Sequence, residues 1–131
     1  MSEQIVIDAE NAIVGRLASY AAKQSLLGKN VIIVNSEKAV VSGNRDNILE
    51  RYLKKRKFKK VKFPSMPEQI LKRTIRGMLS YKMGRGEAAL ARVKCYSGIP
   101  QEFEKDKKIK SGKEKRDMIN LKEISLMLKY K

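Results

Sequence analysis

Residues Gln4–Asn35 read QIVIDAENAIVGRLASYAAKQSLLGKNVIIVN, and their pattern decides the fold. QIVID is short, β-branched and apolar, as a buried strand should be. Val14, Leu17, Ala18, Ala21, Ala22 and Leu26 then recur close to a helical period, and Gly28 follows where a left-handed cap is wanted. NVIIVN (Asn30–Asn35) is a second buried strand. Strand, helix and strand within about 30 residues predict a βαβ unit with parallel pairing, since parallel neighbours need a crossover of that kind.

Working outward, KAVVSG (Lys38–Gly43) predicts a third short strand and VKCYSG (Val93–Gly98) a fourth. Between them, NRDNILERYLKKRKFKK starts a helix with Asn44 or Asp46 as its cap. Ile48, Leu49, Tyr52 and Leu53 share one arc of that helix, with Arg51, Lys54, Lys55 and Lys57 opposite; Arg56 breaks the pattern. Ser65 and Glu68 have capping-box spacing, and Pro67 suits a first turn. The helix PEQILKRTIRGMLSY should bury Ile70, Leu71, Thr74, Ile75, Met78 and Leu79 and turn Lys72, Arg73 and Arg76 away. MGRG should break it before a short helix over EAALARV. EKDKKIKSGKEKR (Glu104–Arg116) is a charged arm, and Asn120 with Glu123 starts a helix at about 120–130 that carries Leu121, Ile124 and Leu128. The expected whole is a single α/β domain over residues 1–131, including a basic helix-loop at 51–63 and the basic arm at 104–116.

Charge distinguishes the two parts of the chain. Thirty Lys and Arg against fourteen Asp and Glu give +16 in 131 residues. Residues 1–50 hold five basic and six acidic side chains, a net of −1, so residues 51–131 carry +17. A neutral platform with a cationic surface is built to meet a polyanion. In RYLKKRKFKKVK (Arg51–Lys62) eight of twelve residues are basic and none is acidic. Like charges four apart on a helix repel by a few tenths of a kcal/mol each, a cost that a bound polyanion removes. RGMLSYKMGRG (Arg76–Gly86) adds three cations and three glycines without an acid, and Gly84 and Gly86 would permit close backbone approach to a ligand. With five Tyr, three Phe and no Trp, phosphate contact and shape are the expected mode of recognition rather than a stacking platform.

Other chemistries find little support. The chain has no histidine, which closes Ser-His and Cys-His catalysis and mixed-ligand zinc sites. Its one cysteine, Cys95, reads as a reduced, partly buried structural thiol. DAENAIVG, where a doubly wound fold would bind a nucleotide, lacks a glycine fingerprint and carries two acids, so a structural turn is expected. Asp46 and Glu50 suit a helix start without any chemistry. The N-terminus shows no cleavable signal pattern, and the longest apolar runs, Val31–Val34 and Ala88–Ala91, are far short of the about 20 residues that span a bilayer. No cofactor or metal is expected.

IVIDAENAIVGRLAS, LLGKNVIIVNSEKAVVSG and TIRGMLSYKMGRGEAALARVKCYSGIP, taken in order from Ile5 to Pro100, resemble the ribosomal protein L-thirteen family of the large subunit, in its archaeal form. The GRLAS, VNSEK, SGN and RGML…RG…AL.R…Y.GIP blocks are specific together. The resemblance implies a three-layer α/β/α fold with a four-stranded parallel sheet in order 3-2-1-4, bound to large-subunit rRNA. It implies rRNA contacts at the positions matching Arg16, Arg73, Arg76, Lys82 and Arg85. The chain departs from the family at Ser80, where proline is usual, and at FKKVKF, where a glycine-proline-histidine stretch is usual. There Lys59, Lys60 and Lys62 would act by charge alone.

The expectation is a non-enzymatic, cytoplasmic rRNA-binding constituent of the large subunit. Its partners would be rRNA and neighbouring ribosomal proteins, with no membrane and no small-molecule substrate. Arg16, Arg51, Lys54, Lys55, Lys57, Lys59, Lys60, Lys62, Lys72, Arg73, Arg76, Lys82 and Arg85 would supply the contacts. The arm would be mobile when free and order on RNA. Three rival readings have their own signatures: a nucleotide-using enzyme needs a phosphate cradle, a DNA-compacting protein would bind duplex DNA equally, and a membrane-surface protein would float with anionic vesicles.

Overall fold

The computed structural model describes residues 3–42, 45–58, 66–80, 82–104, 108–110 and 118–129. Strand β1 (Gln4–Asp8), helix α1 (Val14–Leu26) and strand β2 (Asn30–Val34) form the expected parallel unit, with Ile7 opposite Ile33. Both β1 and β2 are apolar on consecutive residues because both faces of the sheet are covered. Ile7, Val31 and Ile33 enter the larger core beneath the helices. Val6, Ile32 and Val34 face the other way, against Phe103 and half-buried Tyr96.

Helix α1 ends as its glycine predicts. Gly28 has φ +95°, its N–H donates to the Ser25 carbonyl at 3.1 Å, and the Lys29 N–H donates to the Gln24 carbonyl at 3.2 Å, a Schellman cap. One position differs from the periodic reading: Leu26 is 36% exposed and Ser25 is buried in its place. The Ser25 hydroxyl donates to the Ala22 carbonyl at 2.8 Å, which makes its burial tolerable.

The third strand departs from expectation. Val40–Ser42 (β3) lies outside the main sheet and pairs antiparallel with β6 (Met118–Asn120), with Val41 opposite Ile119. The cause lies just upstream. Asn35 adopts φ 56°, a 3-10 turn follows at Ser36–Lys38, and the Val40 N–H donates to the Ala12 carbonyl at 2.8 Å. The chain is thereby drawn onto the loop before α1 instead of beside β2. Strand β4 (Val93–Cys95) takes the place next to β2, and β5 (Lys108–Lys110) pairs parallel with β1 on the other side, giving the order β4-β2-β1-β5. Three residues of the anticipated arm are therefore sheet; 105–107 and 111–117 lie outside the described residues.

Among the described residues five α-helices serve the larger core: α1, α2 (Arg45–Phe58), α3 (Pro67–Gly77), α4 (Gly84–Ala91) and α5 (Leu121–Lys129). Asp46 falls inside the first turn of α2 rather than capping it, and Asn44 lies outside the described residues. In α5, the Glu123 N–H donates to Asn120 Oδ1 at 3.0 Å, while Leu121, Ile124 and Leu128 are fully buried. Among the described residues it is Phe103 and Tyr96, rather than a helix, that cover the second face of the sheet.

Candidate nucleic-acid interface

Helix α3 follows its wheel for most of its length. Ile70, Leu71, Ile75 and Leu79 are buried, while Lys72, Arg73 and Arg76 stand half-buried on the outer side. Two positions differ: Met78 is 46% exposed, and Thr74 is only half-buried, its hydroxyl donating to the Ile70 carbonyl at 3.1 Å. Helix α3 ends at Gly77 with Met78 as its C-cap, and the tightening there, with the Leu79 N–H donating to the Arg76 carbonyl at 3.1 Å, swings Met78 off the apolar arc. The capping box does not form as read. Met66 occupies the cap position, Pro67 the first turn, and Ser65 lies outside the described residues. Glu68 instead accepts the Ser97 hydroxyl at 2.6 Å.

Lys72, Arg73 and Arg76 converge on one open groove of about 330 Å³, lined also by Gln69 and by Leu90 of α4. Among the described residues no acid lines it. Gln69 and Leu90 were not anticipated. The first sits one turn before Arg73 on the same outer arc and was open to discovery; the second needed the packing of α4 beside α3.

The turn from α3 to α4 carries exposed Lys82, and the first turn of α4 carries exposed Arg85. Its glycines serve the protein differently from expectation. A Cβ on Gly86 would overlap the Ser80 backbone carbonyl, so Gly86 permits an internal approach. Nothing lies close to Gly84, at which α4 begins, three residues before the helix read over EAALARV.

Of the other candidates, Arg16, Arg51 and Lys54 are described and do not line this groove. Arg16 is exposed on α1. On α2, buried Ile48 and Tyr52 face inward and exposed Arg51 and Lys54 outward, as predicted. There Lys54 Nζ lies 3.4 Å from Glu50 Oε1, and the hollow beside them, lined by Asn47, Glu50, Arg51 and Lys54, has mixed sign. Lys55 and Lys57 belong to α2, whereas Lys59, Lys60 and Lys62 lie outside the described residues. Arg92, by contrast, is structural: its Nη1 donates to the Ser25 carbonyl at 2.9 Å and ties down the end of α1.

The remaining groups with possible chemistry are occupied by the fold. Asp8 is buried and accepts the Glu10 N–H and Asn35 Nδ2, each at 3.0 Å, which makes the β1–α1 loop the structural turn expected. Glu37 accepts the Gly98 N–H at 2.8 Å, linking VNSEK to SGIP. Burial pushes the Cys95 thiol up to about 12, against the pull of nearby Lys72, so it is not a thiolate at neutral pH. Among the described residues no group of His, Cys, Asp or Glu could hold a metal, and no helix is long and apolar enough to cross a membrane.

Fold and surface together define an α/β scaffold that gathers cations from α3 and displays others beside it. The sequence model of the family described as Ribosomal protein L13 matches residues 2–102. The chain is 45% identical over 128 residues to the large ribosomal subunit protein uL13 of Methanocaldococcus jannaschii, covering 92% of this chain and 93% of that one. It is 38% identical over 132 residues to the protein of the same name from Methanococcus maripaludis, covering 95% and 96%. For that of Methanosarcina barkeri the figures are 50% over 103 residues, 75% and 74%. This chain belongs to the ribosomal protein L13 family.

Proposed function

We propose that the chain is a structural constituent of the large ribosomal subunit in the cytoplasm, binding large-subunit rRNA and supporting assembly and translation. It is a structural protein and not an enzyme. The observation that carries the rRNA contact is the convergence of Lys72, Arg73 and Arg76 in the α3–α4 groove. A phosphate backbone laid there gains charge-assisted hydrogen bonds from three cations gathered on one surface. Lys82 and Arg85 extend the cationic surface along the adjoining turn.

Arg16, Arg51 and Lys54 supply further, peripheral contacts in this reading, with Lys55, Lys57, Lys59, Lys60 and Lys62 adding to the cationic field. Residues 1–131 act as one domain. In this reading β1, β2, β4 and β5 make up the family's four-stranded sheet, with β4 in the place beside β2 that the sequence pattern assigned to Val40–Ser42. Neighbouring ribosomal proteins complete the set of partners.

Sedimentation tests this reading. The protein should remain with large subunits through a high-salt wash that strips loosely held cationic proteins, and duplex DNA in excess should not displace it from rRNA. Release in the wash, or equal competition by DNA, would contradict it.

A further inference from the structure

Two of the side chains that line the α3–α4 groove, Leu90 and Gln69, have no part in phosphate binding as such. Leu90 is half-buried, packs against the core and also forms a wall of the groove. Lys72, Arg73 and Arg76 are half-buried too, and long cations held in this way lay their stems along apolar surface while their heads reach water. A phosphate gains nothing from an aliphatic wall, whereas the flat face of a base does. Gln69 is exposed in the first turn of α3, and its amide both donates and accepts. Lysine and arginine only donate, which is all that a phosphate oxygen needs. The edge of a base donates and accepts, and among the described lining side chains only Gln69 answers both.

We infer that the groove is a pocket for one unstacked nucleotide of the rRNA. Its base lies against Leu90 with its edge on the Gln69 amide, and its flanking phosphates meet Lys72, Arg73 and Arg76. The inference rests on the rRNA reading and adds to it a nucleoside contact that salt does not screen. The volume of about 330 Å³ stands at the small end of ligand sites, which run from about 300 to 1,000 Å³, and so suits one nucleoside and not a duplex. Gln69 and Arg76 lie about two helical turns apart, some 10 Å along α3, which leaves the length of a nucleotide between amide and guanidinium. Three of the five described lining residues are cations, which favours a nucleotide over an apolar peptide side chain. Unpaired bases are also what a protein can read in RNA, because the major groove of an A-form helix is too narrow for side chains.

Binding of the full chain to two polyanions separates base from phosphate: deproteinised large-subunit rRNA, and inorganic polyphosphate, which has the charge without the bases. Gln69→Ala should bind rRNA about 10-fold more weakly, with the slope of log K against log salt unchanged, and should bind polyphosphate as the unaltered chain does. Leu90→Phe, which fills the groove from the α4 side, should show the same selective loss. Arg73→Glu with Arg76→Glu should weaken binding to both. Unchanged rRNA affinity in Gln69→Ala would overturn the inference, and the rRNA reading would stand as long as the double reversal still weakens binding. Equal loss on both polyanions in either single variant would assign the effect to phosphate contact or to the fold, and would overturn it as well.

Discussion

Helices α2 and α3 are both basic, and both lie over the same core. By sequence α2 has the denser charge, with the eight cations of Arg51–Lys62 beginning on its outer side. In the proposed reading α3 makes the better site. Its three outer cations are half-buried and line one groove, whereas Lys54 of α2 pairs with Glu50 and both stand largely in solvent. An exposed i,i+4 pair of that kind contributes at most about 0.5 kcal/mol. The difference teaches that convergence, more than density, makes a polyanion site. Convergence needs a second element, here Leu90 of α4, to build the wall.

The comparison breaks most readily by charge reversal. Arg73→Glu with Arg76→Glu should weaken rRNA binding by about 100-fold or more, from lost charge-assisted contacts and added repulsion, while circular dichroism shows the fold retained. Arg51→Glu with Lys54→Glu should cost clearly less, and an equal loss would remove the distinction between the helices. A smaller effect, on stability, should come from Gly86→Ala, which must push the Ser80 backbone away; about 1–3 kcal/mol should be lost in urea unfolding. Asn120→Ala, which removes the cap of α5, should cost about 1 kcal/mol in the same assay. Glu50→Gln sharpens the contrast from the other side, since it frees Lys54. Stability should change by less than about 0.5 kcal/mol and rRNA affinity should rise slightly.

The least effect at neutral pH is expected at Cys95. Its folded thiol holds its proton to about 12, whereas an unfolded thiol ionises near 8.5. The stabilisation is therefore complete below about 8.5 and is lost as pH rises toward 12, because only the unfolded chain gives up its proton. Cys95→Ala should lessen that alkaline fall, and the native thiol should resist alkylation at pH 8.

Much of this molecule is legible from local pattern. β1, α1, β2 and the Gly28 cap follow from residues adjacent in the chain, and so do the buried faces of α3 and α5. What escaped are placements set by distant partners. β3 carries the pattern of a strand, but its backbone is claimed by Ala12 and by β6, some 80 residues on. Lys108–Lys110 is charged enough to pass for a loop, and only β1 reveals it as a strand. Met78 lies on the right arc of a helix that stops one residue too early. At the site, the wheel of α3 set its three cations apart from the core, but nothing local could rank them above those of α2. Gly86 was legible as a close approach, though to Ser80 and not to a ligand.

The central claim is that this surface holds rRNA through its phosphates, and the salt dependence of binding tests it most directly. With about 6–10 phosphates engaged, affinity should fall by about 10³–10⁵ between 50 and 200 mM salt, and Arg73→Glu with Arg76→Glu should make the decline shallower. A response that is flat, or that is the same with and without those two arginines, would contradict the account.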